Sequence, residues 1–253
     1  RGWIVLSPQP EGLPPRGKTF IANAPAIDVR PKALIAPHAG YRYSGPIAGT
    51  AYRTLQAYST SWDRVVLISP SHTMRFHGVA APTWEAFGTT SGPISVDQNA
   101  IEQLTSLHLV HQDDVPHDQE HGLEVHLPFV QHLFTSVSII PLVTGEVSPS
   151  KLAGMLAKLL ETPGTLPIIS SDLSHYYPYS EAQTLDSETA TYIEQGQGER
   201  LREEHACGRL ALQGLLELAG TEKWHAETLD LRNSGDTAGS RDQVVGYGAF
   251  AFA

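Results

Sequence analysis

Cysteine is nearly missing from this chain: of 253 residues only Cys207 carries a thiol. One cysteine cannot close a disulfide within the chain, which excludes a disulfide scaffold and suits a reducing compartment. A cytoplasmic location is therefore expected. Long apolar runs are missing too. Stretches such as Val65-Val66-Leu67-Ile68 fall far short of the roughly 20 residues that span a bilayer, so no membrane partner is expected. The opening Arg1-Gly2-Trp3-Ile4-Val5-Leu6 has no sustained apolar core and no small-residue cleavage site, and does not read as a signal peptide. Positive charge is scarce: Lys+Arg 17 against Asp+Glu 27 gives a formal charge of -10. Such a surface repels phosphate backbones, and with no local basic patch a nucleic-acid partner is not expected. Walker, Rossmann and Gly-x-Ser-x-Gly patterns are all absent, which removes support for a phosphate cradle or a nucleophile elbow.

The apolar fraction of 41% is enough for a full core, and 17% charged residues is low for a disordered chain. The length fits one domain over 1–253. Residues 1–30 form a lead-in without regular periodicity, rich in proline and glycine. Buried strands are expected at 33–36, 64–69, 137–143 and 166–170, each a short β-branched or aliphatic run. Between them the spacing predicts helices from Ser44 as N-cap to about 55, from Asp97 to about 106, over 123–134 with a kink or late start at Pro128, and from 148 or 149 to about 160. Helices over 186–195 and 208–219 and strands near 226–232 and 244–252 complete the chain. Strands alternating with helices argue for an α/β fold: a mostly parallel central sheet flanked by helices on both faces. Short strands in 79–96 and the last two strands suggest antiparallel pairing at an edge.

Twelve histidines are the unusual abundance. Three buried strands run directly into one: Ile35-Ala36-Pro37-His38, Ile68-Ser69-Pro70-Ser71-His72 and Ser170-Ser171-Asp172-Leu173-Ser174-His175. In an open α/β sheet the carboxyl ends of the strands meet at one crevice, where ligands bind. A single histidine after a strand is usually a turn residue bonded to backbone; three repeats of the arrangement favour a shared site. Imidazole is the commonest metal ligand, and Asp172 is placed to orient a ring or to act as an acid or base.

Cys207 lies just before the helix expected at 208–219. There the helix dipole and Arg209 favour the thiolate, the form that binds metal or attacks an electrophile. A free cysteine is equally often a small buried hydrophobe, so both readings stay open. The run from His117 to His126 resembles a metal motif, but its histidines at 121 and 126 are five apart. On a helix they would point some 140° from each other, so they should not chelate one ion together. His121 and Glu124, three apart, share a face and are read as a pocket wall or proton-transfer element.

At these residues the chain resembles the Memo family, named for the mediator of ErbB2-driven cell motility, whose bacterial and archaeal members are called AmmeMemoRadiSam system protein B. The segments that carry the resemblance are Ile35 to Tyr41, Ser69 to His72, Glu120 to Pro128, Ser170 to His175, Cys207 to Arg209 and Tyr247 to Ala249. They occur in the family's order and span the chain from about 33 to the end. The resemblance implies a fold similar to the class III extradiol dioxygenases and one iron or copper ion per chain. It implies His38, His72 and Cys207 as metal ligands, with Asp172 and His175 beside them as catalytic groups. Tyr41, His121, Glu124, His126 and Arg209 would line the pocket. The extradiol enzymes use two histidines and a carboxylate; a cysteine makes the site softer and favours redox chemistry.

Three functions follow as expectations. One is a metal-dependent oxidoreductase, dioxygenase-like, acting on a small molecule. The second is a non-catalytic module that binds a metal or peptide on the same fold. The third, hydrolysis by metal-bound water, is disfavoured by the thiolate ligand and the lack of a bridging carboxylate. Oligomeric state is not legible from the sequence.

Overall fold

A computed structural model describes residues 3–5 and 16–253. Of the lead-in, residues 1, 2 and 6–15 lie outside the described residues. The first elements are β1 (Trp3–Val5), α1 (Arg16–Asn23), β2 (Ala33–Ala36), α2 (Tyr41–Arg53) and β3 (Arg64–Pro70). Then come β4 (Val79–Ala81), β5 (Ala86–Thr89), β6 (Gly92–Val96), α3 (Gln98–Ser106), β7 (His111–Gln112), α4 (His121–Glu124) and α5 (Leu127–Leu133). The chain continues through β8 (Ser138–Thr144), α6 (Pro149–Leu160), β9 (Thr165–Ser170), β10 (His175–Tyr177) and α7 (Tyr179–Glu194). It closes with α8 (Arg209–Glu222), β11 (Ala226–Asn233) and β12 (Val244–Phe252).

Among the described residues, twelve strands form one mixed sheet whose main path runs β1-β5-β6-β8-β3-β9-β2-β12-β10. Its heart is parallel: β3 pairs with β8 and β9, and β9 with β2. Residues 65–69 of β3 and all of β9 are buried. Successive strand residues point to opposite faces, so burial without alternation means that both faces are covered. The pair α6 and α8 packs near β9 and β3, while α2 and α7 pack near β11 and β12. Antiparallel pairing is confined to β5–β6, β4–β8 and the partners of β12.

Two local readings are corrected and a third is refined. The lead-in is not irregular throughout, because α1 is a helix whose Phe20 seats against Gly45 and Gly49 of α2. A Cβ on Gly49 would come within 2.7 Å of Phe20. Helix α2 starts at Tyr41 with Gly40 as N-cap, and Ser44 lies inside it, its hydroxyl donating to the Ala39 carbonyl at 2.7 Å. The helix expected over 123–134 is broken in two, with the late start expected at Pro128: the proline occupies the first turn of α5, where a missing N–H costs nothing. By contrast Asp97 and Ser148 cap α3 and α6 as expected, accepting from the backbone N–H of Ala100 and Lys151.

Candidate metal centre

Because β3, β9 and β2 are adjacent and parallel, their carboxyl ends open side by side. His72, Asp172 and His38 follow those three ends. His121 joins them from α4. The imidazole centroids stand 4.9 Å apart for His38–His72, 5.4 Å for His38–His121 and 4.7 Å for His72–His121. Each ring offers one nitrogen such that all three lie within 4.8 Å of one another, a spacing that suits a shared metal ion. His38 is buried, whereas His72 and His121 reach solvent.

The nitrogens are prepared by their neighbours. The Ser170 hydroxyl donates its one proton to the Gly122 carbonyl at 2.6 Å, so its oxygen accepts from His38 Nδ1–H at 2.7 Å. The Glu120 carboxylate accepts from His72 Nδ1–H at 2.7 Å, from the His72 backbone N–H at 2.8 Å and from the Gly122 N–H at 2.9 Å. With Nδ1 engaged on both rings, Nε2 is the nitrogen left to face a metal. Burial alone would raise the Glu120 carboxyl, but the hydrogen bonds from His72 outweigh it and hold the group below its usual range. Burial, aided by the neighbouring imidazoles, lowers His38 well below the ordinary histidine value, and His121 is lowered for the same reasons. These two rings are neutral and available at neutral pH.

Asp172 is buried and braces the turn after β2, its Oδ1 accepting from the backbone N–H of His38 at 2.8 Å and of Ala39 at 3.3 Å. Its Oδ2 lies 3.9 Å from His38 Nε2. Burial raises its pKa against the pull of those hydrogen bonds. His175 donates Nδ1–H to the Leu173 carbonyl at 2.8 Å, since a carbonyl can only accept, and this leaves Nε2 as a base.

Cys207 Sγ sits 3.5 Å from His38 Nε2, 3.6 Å from the Asp172 carbonyl and 3.7 Å from Ser171 Oγ. It is thus at the cluster, yet outside the set of donors mutually within 4.8 Å, which is His38, His72 and His121 among the described residues. The thiolate, one of the two readings left open for this residue, does not fit its burial. Burial, with the Asp172 carboxylate adding to it, pushes the thiol up to about 12. Arg209 does not help, because its guanidinium pairs with Glu203 at 3.2 Å.

A cavity of about 50 Å³ adjoins the cluster, lined by His38, Gly40, Tyr41, His121, Glu124 and Val125. Of the residues read as pocket-lining, Tyr41, His121 and Glu124 border this cavity, and burial raises the Glu124 carboxyl. His126 is not. It is fully buried behind the site, with Nδ1 3.0 Å from the Tyr52 hydroxyl. Arg209 likewise is not among the residues lining this cavity. Sequence reasoning missed Glu120 and Ser170 as partners of the rings. Gly122, two residues after Glu120, has no room for a side chain: a Cβ there would collide with Ser69 Oγ.

Fold and site together define a class: α/β proteins with a histidine cluster, spaced for a metal ion, at the carboxyl ends of a parallel sheet. Residues 9–251 match the family described as Memo-like protein. Relatives described as "MEMO1 family protein" include one from Aquifex aeolicus, 31% identical over 88% of this chain and 86% of its own. Another, from Aeropyrum pernix, is 36% identical over 86% and 82%, and one from Metallosphaera sedula is 32% identical over 96% and 88%. The chain belongs to the Memo family. Among solved structures, the crystal structure of uncharacterized protein JW3007 from Escherichia coli K12 is similar with a TM-score of 0.49 and 14% identity, covering 86% of this chain and 99% of that one.

Proposed function

We propose that this Memo-family chain is a metalloprotein holding one iron or copper ion, with redox chemistry of the dioxygenase-like kind on a small molecule. The observation that carries the reading is the meeting of three imidazoles, two with Nδ1 already engaged, beside a sulfur and a buried carboxylate. Neutral imidazoles with free lone pairs suit Fe(II), Cu(I) and similar ions, and sulfur biases the set towards copper or redox-active iron. His38 and His72 would hold the ion, with His121 as the third imidazole and Cys207 as the sulfur donor once a cation displaces its proton. When bound, such an ion supplies one-electron chemistry that side chains lack.

The chain's own residues do the rest. Glu120 and Ser170 fix the ring tautomers and orientations. Asp172 holds the backbone of His38 and Ala39 in place. His175, with Nδ1–H given to Leu173, is placed to take or return a proton through Nε2. Tyr41 and Glu124 close one wall, where the Tyr41 hydroxyl donates to the Val125 carbonyl at 2.9 Å. The small size of the adjoining cavity also supports the second reading, a non-catalytic module that keeps the ion for binding.

The test is elemental analysis of protein purified without added metal, then anaerobic titration with Fe(II) and with Cu(I). One ion per chain is expected, lost in His38→Ala and His72→Ala and weakened in His121→Ala and Cys207→Ser. Binding indifferent to all four changes would end the proposal. Metal binding without oxygen-dependent turnover would select the second reading.

A further inference from the structure

The opposite end of the sheet, where the strands begin, holds a groove of about 660 Å³ that the metal centre does not use. That volume falls in the range of small-molecule sites, roughly 300–1,000 Å³. Its apolar lining comes from Trp62 before β3, Leu160 at the end of α6, Leu218 in α8 and Trp224 before β11. Both indoles are half-buried and packed against the core. Trp62 is held edge-on by Phe134, at 6.2 Å between centroids.

Arg30 and Lys32, on the segment leading into β2, also line the groove, and both are exposed. The Arg30 guanidinium lies over the Tyr58 ring at 5.5 Å, and Lys32 Nζ over the Trp224 ring at 5.8 Å. Neither has a carboxylate partner among the described residues. Some other cations of this chain do, such as Arg64 with Asp97 and Arg232 with Asp230, while others, such as Arg42 and Lys151, do not. In a chain of formal charge -10, what distinguishes these two cations is that they share one groove with two indoles. The carboxyl ends of α6 and α8 also reach the groove, with Glu222 and with Glu161, which is tied to Lys158. These helix ends carry partial negative charge. The groove therefore has cations, acidic helix ends and apolar rings in one concavity.

We propose that this groove binds a small organic anion with a flat aromatic body, its carboxylate on Arg30 and Lys32 and its ring on the indoles. A ring entering the groove takes the face of Trp224 that Lys32 now covers, and the ammonium is released to pair with the anion. An inorganic anion would leave the indoles unused. An organic cation would meet two like charges against one carboxylate without an ion-pair partner, Glu222, because Glu161 is held by Lys158. Lys32 precedes β2 and His38 follows it, so this site lies at the other end of the strand from the metal centre and does not depend on that reading.

The test uses the full chain and three probes: 3-phenylpropionate, 3-phenylpropylamine and inorganic phosphate, followed by ligand-observed NMR and calorimetry. 3-Phenylpropionate is expected to bind, with Lys32→Glu and Arg30→Glu each weakening it by about tenfold. Both side chains are exposed, so circular dichroism should report an unchanged fold. Absence of binding by the carboxylate, equal or tighter binding of the amine, full displacement by phosphate, or indifference to both charge reversals would each overturn the proposal.

Discussion

Glu120 grips His72 at two points: Oε2 accepts the backbone N–H at 2.8 Å and Oε1 accepts Nδ1–H at 2.7 Å. A side chain two residues before Gly122 thus fixes both the position and the tautomer of a ring on another element. Such partners of metal-binding histidines are usually worth 10–100-fold, as an order of magnitude, in metal affinity. Glu120→Gln keeps the size but puts an amide donor against N–H groups. Competition with a chelator should show Fe(II) or Cu(I) bound about 10–100-fold more weakly. Unchanged affinity would show that the grip is only structural.

Gly122 is where this arrangement is tightest. A Cβ there would collide with Ser69 Oγ and come within 3.1 Å of Glu120 Oε1. Gly122→Ala should therefore destabilise the fold by about 1–3 kcal/mol, the usual cost of overpacking. Ser69→Ala combined with Gly122→Ala should recover part of the loss in urea melts. A tolerated single substitution would contradict this packing.

Acid should weaken the fold before any carboxylate of ordinary pKa titrates. Burial lowers His126 to about 3 and His117 to about 4. In the unfolded chain both protonate near 6.5, so the unfolded state gains protons first and stability falls as pH drops below that value. Each ring contributes about 1.4 kcal/mol per pH unit in this window. Asp186 acts in the opposite sense: burial raises it to about 6, and its contribution grows as pH falls from there towards its unfolded value. The two rings outweigh it. Urea midpoints should decline from pH 6.5 to 4.5, and His126→Gln should flatten the decline. A decline equally steep in the variant would refute the assignment.

Much of the fold was legible in the sequence because its central strands are short aliphatic runs. The 33–36 segment was placed residue for residue as β2, and 166–170 within one residue of β9. What was not legible depends on partners far away. Helix α1 is eight residues next to a proline-rich run, and its anchor, Phe20 on the glycines of α2, appears only on folding. Strand β10 exists through its pairing with Val244 and Val245 of β12. At the site, helical geometry correctly separated His121 from His126. It could not show that α4 would set His121 against His38 and His72, nor that burial would keep the Cys207 thiol protonated.

That last point is directly measurable. With its pKa pushed up to about 12, Cys207 in metal-free protein should react with iodoacetamide far more slowly than a free thiol at pH 8. The rate should still be climbing at pH 10. A plateau below pH 8 would mean that a thiolate exists without metal.

The central claim is best tested by an anomalous-scattering map from a crystal grown anaerobically with Fe(II) or Cu(I). One peak is predicted, bonded to nitrogens of His38 and His72 and facing His121 and Cys207. A map without density there, or with the ion bonded to other residues, would contradict the account.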